Sequence, residues 1–121
     1  MQRIFVFGSN RQGRHGAGSA LSARMNHGAI YGQAEGPQGN SYAIVTKELR
    51  PNYPVVTLND IAKSVTKFLT YAREHKELRF DVVALGCQLA GFKVGQIAPL
   101  FKGHPRNVFL AQEFVQELER S

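Results

Sequence analysis

The feature of this sequence that most restricts its fold is an order that occurs twice: a β-prone run, then a glycine-rich loop, then a helix-prone segment. The first copy runs from residues 3–7 through the loop 8–18 into a segment rich in helix formers, 17–25. The second runs from residues 80–85 through the loop 86–91 into a short apolar helix. Strands that alternate with helices pair in parallel and are covered on both faces. The pattern therefore predicts a three-layer α/β/α fold whose mixed sheet is mostly parallel.

The remaining apolar runs complete this pattern. Residues 41–46 have the length and residue types of a strand, and residues 108–110 form a last short one before a closing helix over 112–119. Thr57 can cap a helix whose first turn holds Asp60 near the positive end of the helix dipole. Apolar side chains then recur every three or four positions, as on a buried helix face. They are Leu58, Ile61, Ala62, Val65, Phe68, Leu69 and Ala72.

Length and composition indicate a globular chain with one core. Its 121 residues are too few for two halves with useful cores, so we expect a single domain over residues 1–121. No run approaches the roughly 18 apolar residues of a membrane span, and the N-terminal run is too short for a secretion signal. We therefore expect a cytoplasmic protein without a membrane partner. The single Cys87 and four scattered histidines have no metal-ligand spacing, so no metal or other cofactor is expected.

The two glycine-rich loops are the candidate binding site. Ligands of open parallel sheets lie beyond the carboxyl ends of the strands, and both loops follow strands. Glycine lets the backbone approach a phosphate, and the helix that follows offers free N–H groups and partial positive charge. Two such loops facing each other would clamp a diphosphate. Neither loop has the Gly-Lys-Ser/Thr of a P-loop or the dinucleotide fingerprint, which argues against ATP hydrolysis and nicotinamide redox chemistry.

The same segments resemble the macro domain family of ADP-ribose-binding modules, and most closely its branch that removes terminal ADP-ribose from acidic side chains. Residues 13–18, Gly-Arg-His-Gly-Ala-Gly, look like the family's first loop, and residues 42–47, Tyr-Ala-Ile-Val-Thr-Lys, look like its second-strand signature. Residues 86–92, Gly-Cys-Gln-Leu-Ala-Gly-Phe, with the following residues 97–101, are similar to its distal diphosphate loop and helix. The resemblance extends over about residues 3–110.

The resemblance implies a macro-domain-like fold that binds ADP-ribose or a related NAD-derived nucleotide. It implies that residues 16–18 approach the distal ribose and phosphate, and that residues 86–92 wrap the diphosphate. Small stand-alone relatives of this kind look like proteins of bacteria and their phages, which implies a role in phage–host conflict over NAD. The ligand-binding residues expected from the loops and the Thr-Lys segment are Gly8, Ser9, Asn10, Gly13, Gly16, Ala17, Gly18, Thr46, Lys47, Gly86, Cys87, Gln88, Leu89, Ala90, Gly91 and Phe92.

The resemblance also implies hydrolase chemistry, in which a lysine at the position of Lys47 attacks the anomeric carbon beside an aspartate of the distal loop. Here Ala90 stands in the place of that aspartate and Gln88 replaces a glycine, and both departures count against this mechanism. An ordinary ammonium is protonated at neutral pH and is a poor nucleophile. Asn10 could orient a water or a ribose hydroxyl, or stabilise its own turn. His15 could act as an acid or base, or be a bystander.

Several functions stay open at this point. The chain is a module that sequesters ADP-ribose, with ADP-ribosylated protein as a further partner, or an ADP-ribosyl glycohydrolase or ADP-ribose-1″-phosphatase. Alternatively, it is a nucleic-acid-binding or structural phage-related protein that keeps the fold without catalysis. Nothing arranges Tyr31, Tyr42 and Tyr53 on one face, which argues against a nucleic-acid partner. A nucleophilic role for Cys87 is disfavoured, because a cysteine directly after a buried strand is usually a packed side chain.

Overall fold

The helices and strands follow one another in the order that the sequence predicts, with one added strand. The computed structural model describes residues 1–87 and 89–120. The elements are β1 (Gln2–Asn10), α1 (Gly18–Asn26), β2 (Gly36–Gln38), β3 (Ser41–Lys47), α2 (Leu58–Glu74), β4 (Leu78–Val82), α3 (Val94–Ile97), a 3₁₀ helix (Ala98–Phe101), β5 (Val108–Leu110) and α4 (Gln112–Arg120). None of the helices in the described part of the chain is long and apolar enough to cross a bilayer.

The strands form one mixed sheet in the order β2-β3-β1-β4-β5. β1 lies at its centre and pairs in parallel with β3 and β4, so that Val6 is level with Tyr42 on one side and Val82 on the other. β5 extends the parallel part beside β4. The predicted three-layer α/β/α fold, with a mostly parallel sheet and helices on both faces, is confirmed.

β2 is the strand that the sequence analysis does not predict. Residues 32–39 look like a glycine-rich loop, but residues 36–38 pair antiparallel with β3 at the edge of the sheet. The link between the two strands turns at Gly39, whose φ is +58°, a conformation that favours glycine. Pro37 has no N–H to donate, which an edge strand tolerates. Tertiary pairing therefore makes a strand from residues with low strand propensity.

The larger core lies between one face of the sheet and α2. Thr57 and Asp60 form the expected cap, since the Thr57 Oγ1 accepts from the Asp60 N–H at 3.1 Å and Asp60 Oδ2 accepts from the Thr57 N–H at 2.9 Å. The buried face of α2 follows the predicted periodicity, except that Ser64 is buried and that Leu58 and Ala62 are only half-buried. The central side chains of this core are Ile4, Val6, Tyr42, Ile44, Ile61, Val65, Phe68, Phe80, Phe101 and Phe114.

The smaller core lies on the opposite face under α1. Phe7 and Ala43 of the sheet pack there against Ala20 and Ala23 of the helix, with Ala29 beside them. The sheet residues buried in this cluster come from β1 and β3. The half of the same face that belongs to β4 and β5 has no comparable cover among the described residues.

β1 is longer than its apolar run predicts. Gly8 and Ser9, which look like the turn that ends the strand, pair with Ile44 and Val45 of β3. β4 begins two residues earlier than predicted and ends at Val82, so residues 83–85 lie outside the strand, although the Val83 N–H still donates to the Val6 carbonyl oxygen at 3.1 Å. A glycine without a side chain continues a strand when a neighbouring strand satisfies its backbone. The site is therefore built on an end of β1 that is paired with β3.

Candidate functional site

The two glycine-rich loops meet at the carboxyl ends of β1, β3 and β4. A Cβ added at Gly18 would lie 3.1 Å from Leu89 Cδ1, so the first loop, residues 8–18, touches the distal loop, residues 86–92. Lys47, the last residue of β3, donates from Nζ to the Leu89 carbonyl oxygen at 3.2 Å. The structure thus brings the two loops together around one crevice, as the sheet topology requires.

Two adjoining cavities of opposite charge make up this crevice. The larger, of about 320 Å³, is lined by Arg14 and Lys47, and we call it the basic cavity. The smaller, of about 230 Å³, is lined by Glu113 of α4, and we call it the acidic cavity. Sites for small ligands typically measure about 300–1,000 Å³. The residues that line both cavities are Gly8, Ala17, Thr46, Leu89 and Ala90.

The N-terminus of α1 opens onto both cavities. Ala17 is the N-cap residue and makes no side-chain capping bond, and the first turn contains no acidic residue. The first N–H groups of a helix have no partner within it, and they carry partial positive charge. Gly18 and Ser19 line the acidic cavity, while Ala20 lines the basic cavity. The first turn of α1 is therefore placed to receive an anion.

Asn10 uses its amide to hold the first loop in shape. Its Nδ2 donates to the Arg14 carbonyl oxygen at 2.8 Å, and its Oδ1 accepts from the Arg14 N–H at 2.8 Å. The Asn10 carbonyl oxygen also accepts from the Gly13 N–H at 2.9 Å. An asparagine that binds its own loop at both ends of the amide stabilises a turn. Asn10 thus positions Arg14 at the basic cavity.

His15 lies beneath the first loop and is 0% exposed. Its ring packs edge-on against Phe7 with centroids 5.3 Å apart, and its Nε2 is 3.4 Å from Ser9 Oγ. Within the described residues its Nδ1 has no partner in hydrogen-bond geometry. The pKa of His15 is lowered, chiefly because the ring is buried. The Gln33 backbone raises this pKa in part, and the positive charge of Arg24 lowers it slightly further. His15 therefore lines neither cavity and supports the loop from the interior.

Thr46 and Gly8 form the floor of the crevice where β3 runs beside β1. The Thr46 Oγ1 donates to the Ser9 carbonyl oxygen at 3.2 Å, which ties the ends of the two strands together. A Cβ added at Gly8 would lie 3.2 Å from this Thr46 oxygen and 3.3 Å from Leu85 Cβ. A side chain at position 8 would crowd the floor, so glycine keeps the crevice open.

A backbone hydrogen bond from the Phe92 N–H to the Gly86 carbonyl oxygen, at 2.9 Å, closes the distal loop. Gly86 has a φ of +78°, and a Cβ there would lie 3.3 Å from Ile97 Cδ1. This position therefore requires glycine to let the loop pass α3. Ala90 lines both cavities and brings no carboxylate to them. Gln88 lies outside the described residues.

Cys87 is half-buried beside the crevice and does not line either cavity. Its Sγ donates to the Leu85 carbonyl oxygen at 3.5 Å. Burial raises the pKa of the Cys87 thiol, and the nearby charge of Glu113 raises it further. Because the thiolate is the nucleophilic form, a raised pKa makes this thiol a poor nucleophile at neutral pH.

Most of the ligand-binding residues expected from the sequence line the crevice. They are Gly8, Ser9, Asn10, Gly16, Ala17, Gly18, Thr46, Lys47, Gly86, Leu89 and Ala90. The expected ligand-binding residues that line neither cavity are Gly13, Cys87, Gly91 and Phe92. His15, the expected acid or base, lines neither cavity either. Among the lining residues not expected from the sequence are Arg14, Leu49 and Glu113. Arg14 could have been found from its place between loop glycines, whereas nothing in the sequence links the start of α4 to these loops.

Glu48, which follows Lys47, is a buried carboxylate that joins the segment after β3 to the first loop. Its side chain is 2% exposed. It accepts from Arg50 Nε at 3.1 Å, from Gln12 Nε2 at 2.6 Å and from Arg11 Nη1 at 3.3 Å. These bonds, foremost the one from Arg50, lower the pKa of Glu48 to about 2. Glu48 therefore holds the backbone beside Lys47 against the loop.

Replacing Glu48 with glutamine should lower the melting temperature in a pH-dependent way. The pKa of Glu48 falls from 4.5 to about 2 on folding, so the charged carboxylate stabilises the fold fully above pH 4.5. This stabilisation disappears as the pH falls through about 2, so the difference between wild type and Glu48→Gln should shrink over this interval. Thermal melts across acidic pH measure it, with Glu74→Gln on the exposed side of α2 as the matched control. A constant difference at all pH values would contradict this role.

No protein-family model matches the chain, and no curated protein matches it significantly. Solved structures from Bacteroides thetaiotaomicron are similar in fold. One, a protein of unknown function, has a TM-score of 0.60 and 13% identity, and covers 90% of this chain and 86% of its own. Another, a structural genomics target, has a TM-score of 0.61 and 14% identity, and covers 91% of this chain and 88% of its own. At this level of identity the likeness shows the α/β/α fold alone.

Proposed function

We propose that the crevice binds a phosphate-containing nucleotide, ADP-ribose or another NAD-derived nucleotide, and that the protein is a binding module. One observation carries this proposal: the N-terminus of α1, without a side-chain cap, faces the same crevice as Arg14 and Lys47. Free helical N–H groups and two cations around a cleft are complementary to a diphosphate. The resemblance of the loops to ADP-ribose-binding modules supports the same class of ligand.

The opposite charges of the two cavities support one orientation of the nucleotide. The diphosphate would lie against Arg14 and Lys47 in the basic cavity, where Coulomb attraction favours it. A ribose hydroxyl or an amino group would donate to the Glu113 carboxylate in the acidic cavity, since a carboxylate accepts and repels phosphate. Leu49 and Leu89 would provide apolar walls for the sugar or base.

Three features support binding without turnover. The Asn10 amide uses one donor and one acceptor within the first loop, so the loop fixes the orientation of this side chain. His15 is buried below the loop and would have to move to reach a ligand. Ala90 supplies no acid or base at the distal loop. Of the residues considered for catalysis, only Lys47 is exposed in the crevice, where its ammonium is suited to hold phosphate.

Thermal shift with ADP-ribose, NAD, AMP and inorganic pyrophosphate tests the proposal. A ligand at about 100 times its Kd raises the free energy of unfolding by about 2.7 kcal/mol, or about 10 °C in a domain of this size. ADP-ribose should give this shift. The double variant Arg14→Gln with Lys47→Gln should lose most of it, because both cations that contact the diphosphate are neutralised.

Lys63→Gln is the matched control, because it removes an exposed charge from α2 away from the crevice and should keep the full shift. An equal response of all variants, or no response to any of these ligands, would contradict the proposal. Incubation with ADP-ribosylated protein separates the enzyme alternative. If the wild type releases ADP-ribose and Lys47→Ala does not, the protein is a hydrolase and not a binding module.

A further inference from the structure

A second cluster of cations lies at the other end of the strands from the crevice, on the face of the sheet that α1 covers only in part. Side chains alternate along a strand, and the pairing of the strands places Arg3, Arg79 and Phe109 on this face. Phe109, on the edge strand β5, is 45% exposed. An exposed phenyl ring on an uncovered sheet face offers a contact surface that the fold itself does not use.

A cavity of about 440 Å³ opens beside Phe109, near the beginnings of β1 and β5, and we call it the lower cavity. Its cations are Arg73, Lys76 and Arg106, and its apolar wall includes Met1, Pro105 and Phe109. No carboxylate in the described part of the chain lines it. A concave surface with three cations and no acidic residue is complementary to a polyanion.

The Phe109 ring is already stacked with a guanidinium group. Arg79 Cζ lies 4.0 Å from the ring centroid, in a cation–π contact. Arg79 Nε also binds Asp81 Oδ1 at 2.9 Å, so the two opposite charges on this part of the face cancel each other. Arg3 is exposed on β1 and level with Arg79 in the sheet. The open face therefore adds the charge of Arg3 to that of the lower cavity, and it carries an aromatic ring.

We propose that the lower cavity and the open face beside it bind single-stranded nucleic acid. A base stacks on Phe109 while neighbouring phosphates contact Arg73, Lys76 and Arg106. Aromatic stacking combined with a basic groove is the means by which proteins bind single strands without sequence preference. An acidic peptide would satisfy the cations but leave the ring unused, and in a duplex the faces of the bases are already stacked.

Fluorescence anisotropy with labelled oligouridylate and oligothymidylate tests this site in the full chain. Single strands lose affinity with a slope of about 0.7 per phosphate contacted, so three contacts predict about 20-fold weaker binding between about 50 and 200 mM salt. Lys76→Gln with Arg106→Gln should weaken binding about 10-fold and flatten this dependence. Phe109→Leu keeps an apolar side chain but removes the ring, and should weaken binding about 10-fold without changing the salt slope.

Lys63→Gln with Lys93→Gln is the control, because it removes the same charge from exposed lysines elsewhere and should bind like the wild type. Equal losses in the control and the lower-cavity variants would overturn the proposal, as would the absence of binding at low salt. Competition by polyglutamate as effective as that by oligonucleotide would also overturn it. Excess ADP-ribose should not compete, since the two sites lie at opposite ends of the strands. Competition would assign the oligonucleotide to the crevice and reject the lower cavity.

Discussion

Replacing Gly13 with alanine should lower the free energy of unfolding by about 2–5 kcal/mol, the sum of left-handed strain and overpacking. Gly13 has a φ of +66°, and a Cβ there would lie 2.5 Å from the Gly32 carbonyl carbon. The obstacle is backbone and cannot rotate away, because the Gly32 N–H donates to the Gly13 carbonyl oxygen at 2.8 Å. Chemical denaturation of the purified variant measures the loss.

Gly16→Ala is the matched control in the same loop. A Cβ at Gly16 meets nothing within 4 Å, so this variant should unfold within about 0.5 kcal/mol of the wild type. Gly13→Ala should also lose affinity for ADP-ribose when binding is measured below its own melting temperature, because the displaced loop carries Arg14. If both variants unfold alike, the first loop is not held by its packing against Gly32.

Replacing Phe68 with alanine should destabilise the protein by about 3–5 kcal/mol, the cost of removing a large side chain from a packed core. Phe68 is 0% exposed at the centre of α2. Its ring centroid lies 5.0 Å from that of Tyr42, 5.4 Å from that of Phe80 and 6.3 Å from that of Phe101. Truncation leaves a cavity among these rings, which belong to β3, β4 and the 3₁₀ helix. Urea denaturation measures the change.

Phe68→Leu is the conservative comparison and should lose about half as much, because it fills more of the space. Phe68 contacts the face of the sheet opposite α1, so Phe68→Ala should keep its affinity for ADP-ribose when binding is measured well below its melting temperature. Gly13→Ala is thus expected to lose both stability and affinity, whereas Phe68→Ala is expected to lose stability alone. A loss of affinity in Phe68→Ala would show that the crevice depends on the α2 core.

Local sequence signals predict those elements whose cause is local. The Thr57 and Asp60 cap and the period of three and four along α2 depend on residues within a few positions of each other, and both are correct. The end of β1 is different, because the sequence around Gly8 predicts a turn, whereas in the fold Gly8 continues the strand by pairing with β3. β2 is a strand only through the same partner.

The candidate site shows the same division. The loop glycines are visible in the sequence because a phosphate-binding backbone needs them, and the structure places most of them around the crevice. The burial of His15 cannot be predicted from the sequence, because it depends on which side chains pack beneath the loop. The role of Glu113 cannot be predicted from the sequence either, since the packing of α4 beside α3 brings it to the crevice.

The sequence by itself determined the α/β alternation, the cap and buried face of α2, and the two glycine-rich loops, because hydrophobic period and backbone preference act over a few residues. Only the tertiary structure decided that the Asn10 amide binds its own loop and that His15 is buried beneath this loop. The same holds for the place of Glu113 at the crevice and for the exposure of Phe109 on an open face. These features depend on strand order and on contacts between residues far apart in the chain. A sequence pattern over a few residues does not predict such contacts.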